Sequence, residues 1–271
     1  MRVGLLILSG VLTSALVYPF INDHRRAFLK QRWSKTLLGI VGIRLDARLE
    51  HAIPGSLLVA NHISWMDIFV INAVMPAAFV SKADIRQWPV IGWLAAMNET
   101  VFLKRGSRGH ARLVNEEIGN KLAAGKYAAV FPEGTTTNGT QVLNFHGALL
   151  QPALAAGRPV TPLAITYWEE NGQRSLAPRY DGDISFGECL VNMASRPSLI
   201  ARLQTLPALG TEPGADRRIV AAAARAAIIE AAQLPRLNNP PEKPAGPPDA
   251  LPSGDYPKDS RNPAPEDWAA A

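Results

Sequence analysis

Residues 109–135 read GHARLVNEEIGNKLAAGKYAAVFPEGT, and this stretch decides the fold class. Its first half places Leu113, Ile118 and Leu122 near one helical face and ends before Gly125, a natural helix stop. Its second half, Tyr127–Phe131, is a short apolar run of strand length that leads into Pro-Glu-Gly-Thr. The same alternation continues outward in both directions. Strand-length runs lie at Ser56–Asn61, Ala78–Ser81, Thr100–Leu103 and Val160–Thr166, and an Ala-rich stretch over 214–233 has strong helix propensity. Alternating strands and helices predict an α/β domain, a single central mixed sheet flanked by helices.

Composition divides the 271 residues into three parts. Residues 3–21 (VGLLILSGVLTSALVYPFI) carry no charge, and as a helix they would run about 28 Å, close to the hydrocarbon thickness of a bilayer. Arg25, Arg26, Lys30, Arg32, Lys35, Arg44 and Arg48 follow, opposed only by Asp23 and Asp46. A retained membrane-anchoring helix is expected rather than a cleaved signal, because the n-region is short and no clear small-x-small site precedes Pro19. An interfacial hairpin with a helix over 25–41 is the other arrangement. If the segment spans, the positive-inside rule puts the rest on the cytoplasmic side of the inner membrane. Nine of the 22 prolines fall between Asn238 and Ala271, in a tail with almost no apolar periodicity, which is expected to be disordered. The division is therefore 1–44 anchor and basic helix, 45–235 the α/β domain, and 236–271 the Pro-rich tail.

The net charge of +5 is uneven: residues 1–170 hold 17 Lys+Arg and 11 Asp+Glu, whereas 171–271 hold 11 and 12. The cations gather beside an apolar segment and no nucleic-acid module is legible, so an anionic membrane surface is the better partner. Cys189 is the only cysteine, which excludes an intramolecular disulfide framework and a multi-cysteine metal site.

Polar residues interrupt the apolar runs at four places. Asn61-His62-Ile63-Ser64-Trp65-Met66-Asp67 follows a strand. A turn there lets the Asp67 carboxylate fix one imidazole nitrogen of His62, leaving the other as a general base. No G-x-S-x-G occurs, so such a base would activate a hydroxyl of the substrate. Phe131-Pro132-Glu133-Gly134-Thr135 sits at a strand end, where α/β sheets carry ligand sites. Thr100–Leu103 runs into Lys104 and Arg105, a point charge and a planar fork suited to phosphate. In Val160-Thr161-Pro162 prolines bracket a strand start, which reads as an edge or entry segment, or the lining of an apolar slot.

In this order, H-x4-D at His62/Asp67, Phe102-x-x-Arg105, F-P-E-G-T at 131–135 and V-x-P at 160–162 resemble the four blocks of the glycerolipid acyltransferase superfamily. The chain looks most like its bacterial 1-acyl-sn-glycerol-3-phosphate acyltransferases, over about residues 30–235. The resemblance implies that His62 deprotonates the 2-hydroxyl of lysophosphatidate and that Asp67 orients the imidazole. The oxygen then attacks an acyl-CoA or acyl carrier protein thioester, giving phosphatidate, with no metal or other cofactor. It further implies that Lys104 and Arg105 hold phosphate, that Glu133, Gly134 and Thr135 position the glycerol, and that Val160 and Pro162 line the acyl side. One departure stands out: many members continue F-P-E-G-T with Arg-Ser, whereas this chain has Thr136-Thr137. Related enzymes resembling lyso-ornithine-lipid acyltransferases share that variant, which opens the identity of the acceptor. A lipid-binding protein without chemistry, or a membrane esterase with an unrecognised serine, are the competing readings.

Overall fold

The computed structural model describes residues 2–104, 108–210, 212 and 214–233. The Pro-rich tail of residues 236–271 and Arg105 lie outside the described residues. The described helices are α1 (Arg2–Leu16), α2 (Asp23–Ile40), α3 (Asp67–Asn72), α4 (Ile91–Met97), α5 (Arg108–Ala123), α6 (Gln151–Ala155), α7 (Phe186–Ala194) and α8 (Arg217–Ala231). The strands are β1 (Ile43–Arg48), β2 (Leu57–Ala60), β3 (Ala77–Lys82), β4 (Val101–Leu103), β5 (Tyr127–Val130), β6 (Val160–Glu169) and β7 (Leu199–Thr205). They form one seven-stranded sheet ordered β1-β7-β6-β2-β5-β3-β4. All neighbours are parallel except β6 and β7, so the sheet is mixed.

Two apolar clusters cover the two faces of the sheet. On one face Leu37 and Leu38 of α2, Val70 and Ile71 of α3 and Met193 of α7 pack over Leu58, Leu163, Ile165 and Tyr167. On the other, Val114, Ile118 and Leu122 of α5 and Val220, Ala221 and Ala224 of α8 pack over Leu57, Val59, Val130 and Val160. The buried stripe of α5 is thus the i, i+4, i+8 series from Val114. Leu113 is 63% exposed, because five residues to Ile118 turn a helix by about 140° past one full revolution.

Two strands escaped the sequence reading. In β7, Leu199, Ala201, Leu203 and Thr205 point inward while Ile200, Arg202 and Gln204 alternate with them, and β1 behaves the same way. β6 corrects the edge-strand expectation, for it lies between β2 and β7. Pro162 is tolerated there because the regular β6–β7 ladder begins only at Leu163, opposite Thr205.

α1 turns at Tyr18–Phe20 and folds back on α2. The Trp33 indole donates to the Leu6 carbonyl at 2.9 Å, Arg26 donates to the Tyr18 carbonyl at 2.8 Å, and Tyr18 Oη reaches Asn98 Oδ1 at 3.3 Å. Leu5, Leu8, Leu12, Leu16 and Phe20 remain exposed. Residues Arg2–Phe20 are long and apolar enough to cross a membrane, which is consistent with membrane association.

Candidate active site

The site is built at the C-terminal ends of β2 and β5. Asn61 locks the end of β2 to β6: its side-chain amide donates to the Ile165 carbonyl at 3.0 Å and accepts from the Ile165 N–H at 2.9 Å. The chain then turns through 62–66 into α3, whose first residue is Asp67. Asp67 is fully buried. Its Oδ2 lies 2.8 Å from His62 Nδ1 and accepts the Ile63 and Ser64 N–H groups at 2.7 and 2.9 Å. Its Oδ1 accepts the Tyr167 hydroxyl at 2.7 Å.

This donor set defines the chemistry. A carboxylate accepts only, so Nδ1 carries the proton and Nε2 presents its lone pair. The His62 side chain is 18% exposed, and its ring stacks on Phe131 with centroids 3.9 Å apart and planes 9° apart. The imidazole is therefore oriented from one edge and one face, with a free basic nitrogen. Burial, and then the Asp67 charge, hold the Tyr167 phenol well above its ordinary value, so it stays a donor.

Glu133 fixes the backbone beneath the imidazole. Its Oε1 accepts the His62 N–H and its Oε2 the Leu143 N–H, both at 2.7 Å. Arg225 of α8 in turn holds the loop through the Val142 and Leu143 carbonyls at 2.7 and 2.8 Å. Burial raises the Glu133 carboxyl to about 8 against the pull of the two backbone donors. Each oxygen thus accepts one backbone donor and keeps a second lone pair. Gly134 has φ +71°, which a side chain rarely adopts, and stands beside the His146 ring. Thr135 is exposed. The Thr136 hydroxyl donates to the Tyr180 carbonyl, and the Thr137 N–H donates to the His62 carbonyl at 2.9 Å.

The remaining expected residues are more scattered. Lys104 is exposed at the end of β4, three strands from β2 and so about 14 Å away laterally. Val160 and Pro162 lie on β6 opposite Leu57 and Val59 of β2. Val160 pairs with Leu57, five residues before the histidine, and both are buried in the sheet. Tyr167 and Arg225 are contributors that the sequence reading missed, whereas Asn61 and Thr137 stood in its motifs and hold backbone here. Tyr167 differs in no local way from its neighbours on β6; only the fold puts its hydroxyl on Asp67. A cavity of about 250 Å³ lined by Asp46, Arg48, Trp168, Arg174 and Arg202 lies between β1, β7, β6 and the end of α8, not at His62.

Residues 46–166 match the family described as Acyltransferase. A lyso-ornithine lipid O-acyltransferase of Brucella abortus is 37% identical over 188 residues, 63% of this chain and 69% of that protein. The chain belongs to the glycerolipid acyltransferase superfamily. Two further relatives are named for different acceptors. A lyso-ornithine lipid O-acyltransferase of Pseudomonas aeruginosa is 47% identical over 122 residues, 45% of this chain and 47% of that protein. A 1-acyl-sn-glycerol-3-phosphate acyltransferase of Neisseria meningitidis is 36% identical over 163 residues, 60% and 64% of the two chains. The matched stretch thus spans between about half and two thirds of the length of these two relatives. The crystal structure of a 1-acyl-sn-glycerophosphate acyltransferase from Thermotoga maritima shares the fold of this superfamily member. Its TM-score is 0.56 at 20% identity, covering 85% of this chain and 96% of that one.

Proposed function

We propose that this acyltransferase moves an acyl group from an acyl-CoA or acyl carrier protein thioester to the hydroxyl of a lysolipid. The observation that carries the reading is the His62–Asp67 pair, with Nδ1 held at 2.8 Å and Nε2 left basic. Nε2 takes the proton of the acceptor hydroxyl as its oxygen attacks the thioester carbonyl. Collapse of the tetrahedral intermediate breaks the C–S bond, and the departing thiolate takes the proton from the imidazolium. The ester and the free thiol carrier leave. Asp67 stabilises the cation formed in between, and Glu133 and Phe131 keep the ring in place.

For the acceptor, lyso-ornithine lipid is favoured over 1-acyl-sn-glycerol-3-phosphate. The 47% identity to the P. aeruginosa enzyme supports it. So does position 136, where a threonine holds the Tyr180 segment instead of a cation offered to phosphate. Lys104, at the end of β4, and Arg105, the next residue in the sequence, are proposed to meet the negatively charged group of the headgroup. The helix of residues 2–20 would keep the protein on the inner membrane with the site facing the cytoplasm, where thioester carriers are found. The test is to offer the purified protein each lysolipid with each thioester carrier and weigh the products. Acylated ornithine lipid in excess over phosphatidate is the expected result. Phosphatidate as the dominant product would reverse the choice of acceptor, and hydrolysis without an acceptor would replace acyl transfer by esterase chemistry.

A further inference from the structure

Trp88, Val90, Ile91 and Trp93 are 54%, 51%, 55% and 40% exposed, an apolar cluster that the site does not use. They lie where the turn after β3 runs into α4, Trp88 and Val90 in the turn and Ile91 and Trp93 in the first turn of the helix. The turn is built rigidly: buried Gly92 lies so close under the Ile85 and Arg86 carbonyl oxygens that a Cβ would overlap them. Val90 adopts φ +62°, ψ −53°, a strained conformation for a β-branched residue. Local structure thus spends strain to hold large apolar side chains in the open, where water alone would favour their burial.

Two observations identify what covers them. α4 packs against α1, and Asn98 at its end bonds Tyr18, so the cluster continues the exposed apolar surface of Leu5, Leu8, Leu12 and Phe20. Exposed cations flank it: Lys82 and Arg86 before the turn and Lys104 at the end of β4, opposed by Asp84. Arg86 is braced over the Phe102 ring at 5.5 Å. Paired tryptophans beside cations are the chemistry of a bilayer interface.

We propose that Trp88–Trp93 is a second membrane-inserting element, seated in the headgroup and upper acyl region of an anionic bilayer beside α1. The turn emerges from the C-terminal end of β3, the same sheet edge on which His62 stands. Its insertion would fix that edge against the lipid surface, whereas α1 alone would leave the domain free to tilt.

The test uses the full chain on phosphatidylcholine–phosphatidylglycerol vesicles containing bromine-labelled lipid, which quenches inserted tryptophan. α1 contains no tryptophan, but Trp33 of α2 bonds its Leu6 carbonyl, so the quenching that reports this turn is the part lost on replacing Trp88 and Trp93. The Trp88→Phe/Trp93→Phe variant should lose most of the quenching seen in the native chain. Quenching at the native level in that variant would overturn the proposal. Blue-shifted emission with no quenching by brominated lipid in the native chain would overturn it too, assigning the face to a protein partner. Trp88→Asp/Ile91→Asp should lower vesicle affinity about tenfold or more, and unchanged affinity in a folded variant would contradict the proposal. Failure of that variant to fold leaves the Phe pair to decide.

Discussion

Replacing Asp67 by Asn would keep the side chain's shape and remove the charge that His62, two backbone amides and Tyr167 all address. An amide could also donate toward Nδ1 and reverse the tautomer. Turnover should fall by about 10²–10⁴-fold, with the circular dichroism spectrum retained, as steady-state assays and spectra would show. Tyr167→Phe leaves Asp67 Oδ1 without its phenol donor and should cost about 1–3 kcal/mol in denaturant unfolding. Glu133 gives a pH signature. Its carboxyl is raised from 4.5 to about 8 in the folded protein, so the native state binds the extra proton. Its contribution to stability is complete below pH 4.5 and is lost as pH rises through about 8. Unfolding measured across that window should show a downward component in the native chain that Glu133→Gln lacks. An identical slope in both would remove Glu133 as its source.

Elements were legible in proportion to how local their signal is. The helix stop at Gly125 and the strand runs near 57, 78, 101, 127 and 160 all have counterparts in the structure. β1 and β7 alternate polar and apolar residues without a long apolar run, and their pairing joins residues more than 150 apart in the chain. The site divides in the same way. His62, Asp67 and Glu133 are announced by short motifs, and the structure brings them together. Tyr167 and Arg225 arrive from distant elements through the fold alone. In the V-x-P motif, Val160 pairs with Leu57 at the start of β2, whereas Pro162 pairs with Val59 near its end. At this scale Gly92→Ala is diagnostic. Its Cβ would press on two backbone carbonyls that cannot swing away, so the turn must open at a cost of about 1–3 kcal/mol. A lowered midpoint in thermal unfolding checks this.

For the whole molecule, the basic excess of the first part separates into three uses that its sequence order conceals. Arg25, Arg32 and Lys35 are exposed on α2 beside α1. Lys30 is not a lipid-facing cation: it donates to the Ala77 carbonyl at 3.0 Å, and burial lowers it to about 8. Arg44 and Arg48 alternate with the inward residues of β1 and so occupy the opposite sheet face. Of the cations between residues 25 and 48, Arg25, Arg32 and Lys35 should therefore act on an anionic bilayer, each worth about 1 kcal/mol. Changing Arg25, Arg32 and Lys35 to Ala should weaken binding to anionic vesicles about 100-fold and leave neutral vesicles unaffected, as flotation at two lipid compositions would reveal. The apolar helix, the α2 cations and the Trp88 turn would together hold the catalytic edge at the interface where a lysolipid presents its hydroxyl. The account rests on His62 as the base of acyl transfer. Its most direct test is thiol release from acyl thioester in the presence of lysolipid by the native chain and by His62→Ala. Turnover should fall by about 10³-fold or more with vesicle binding intact, and near-native turnover in the folded variant would contradict the account.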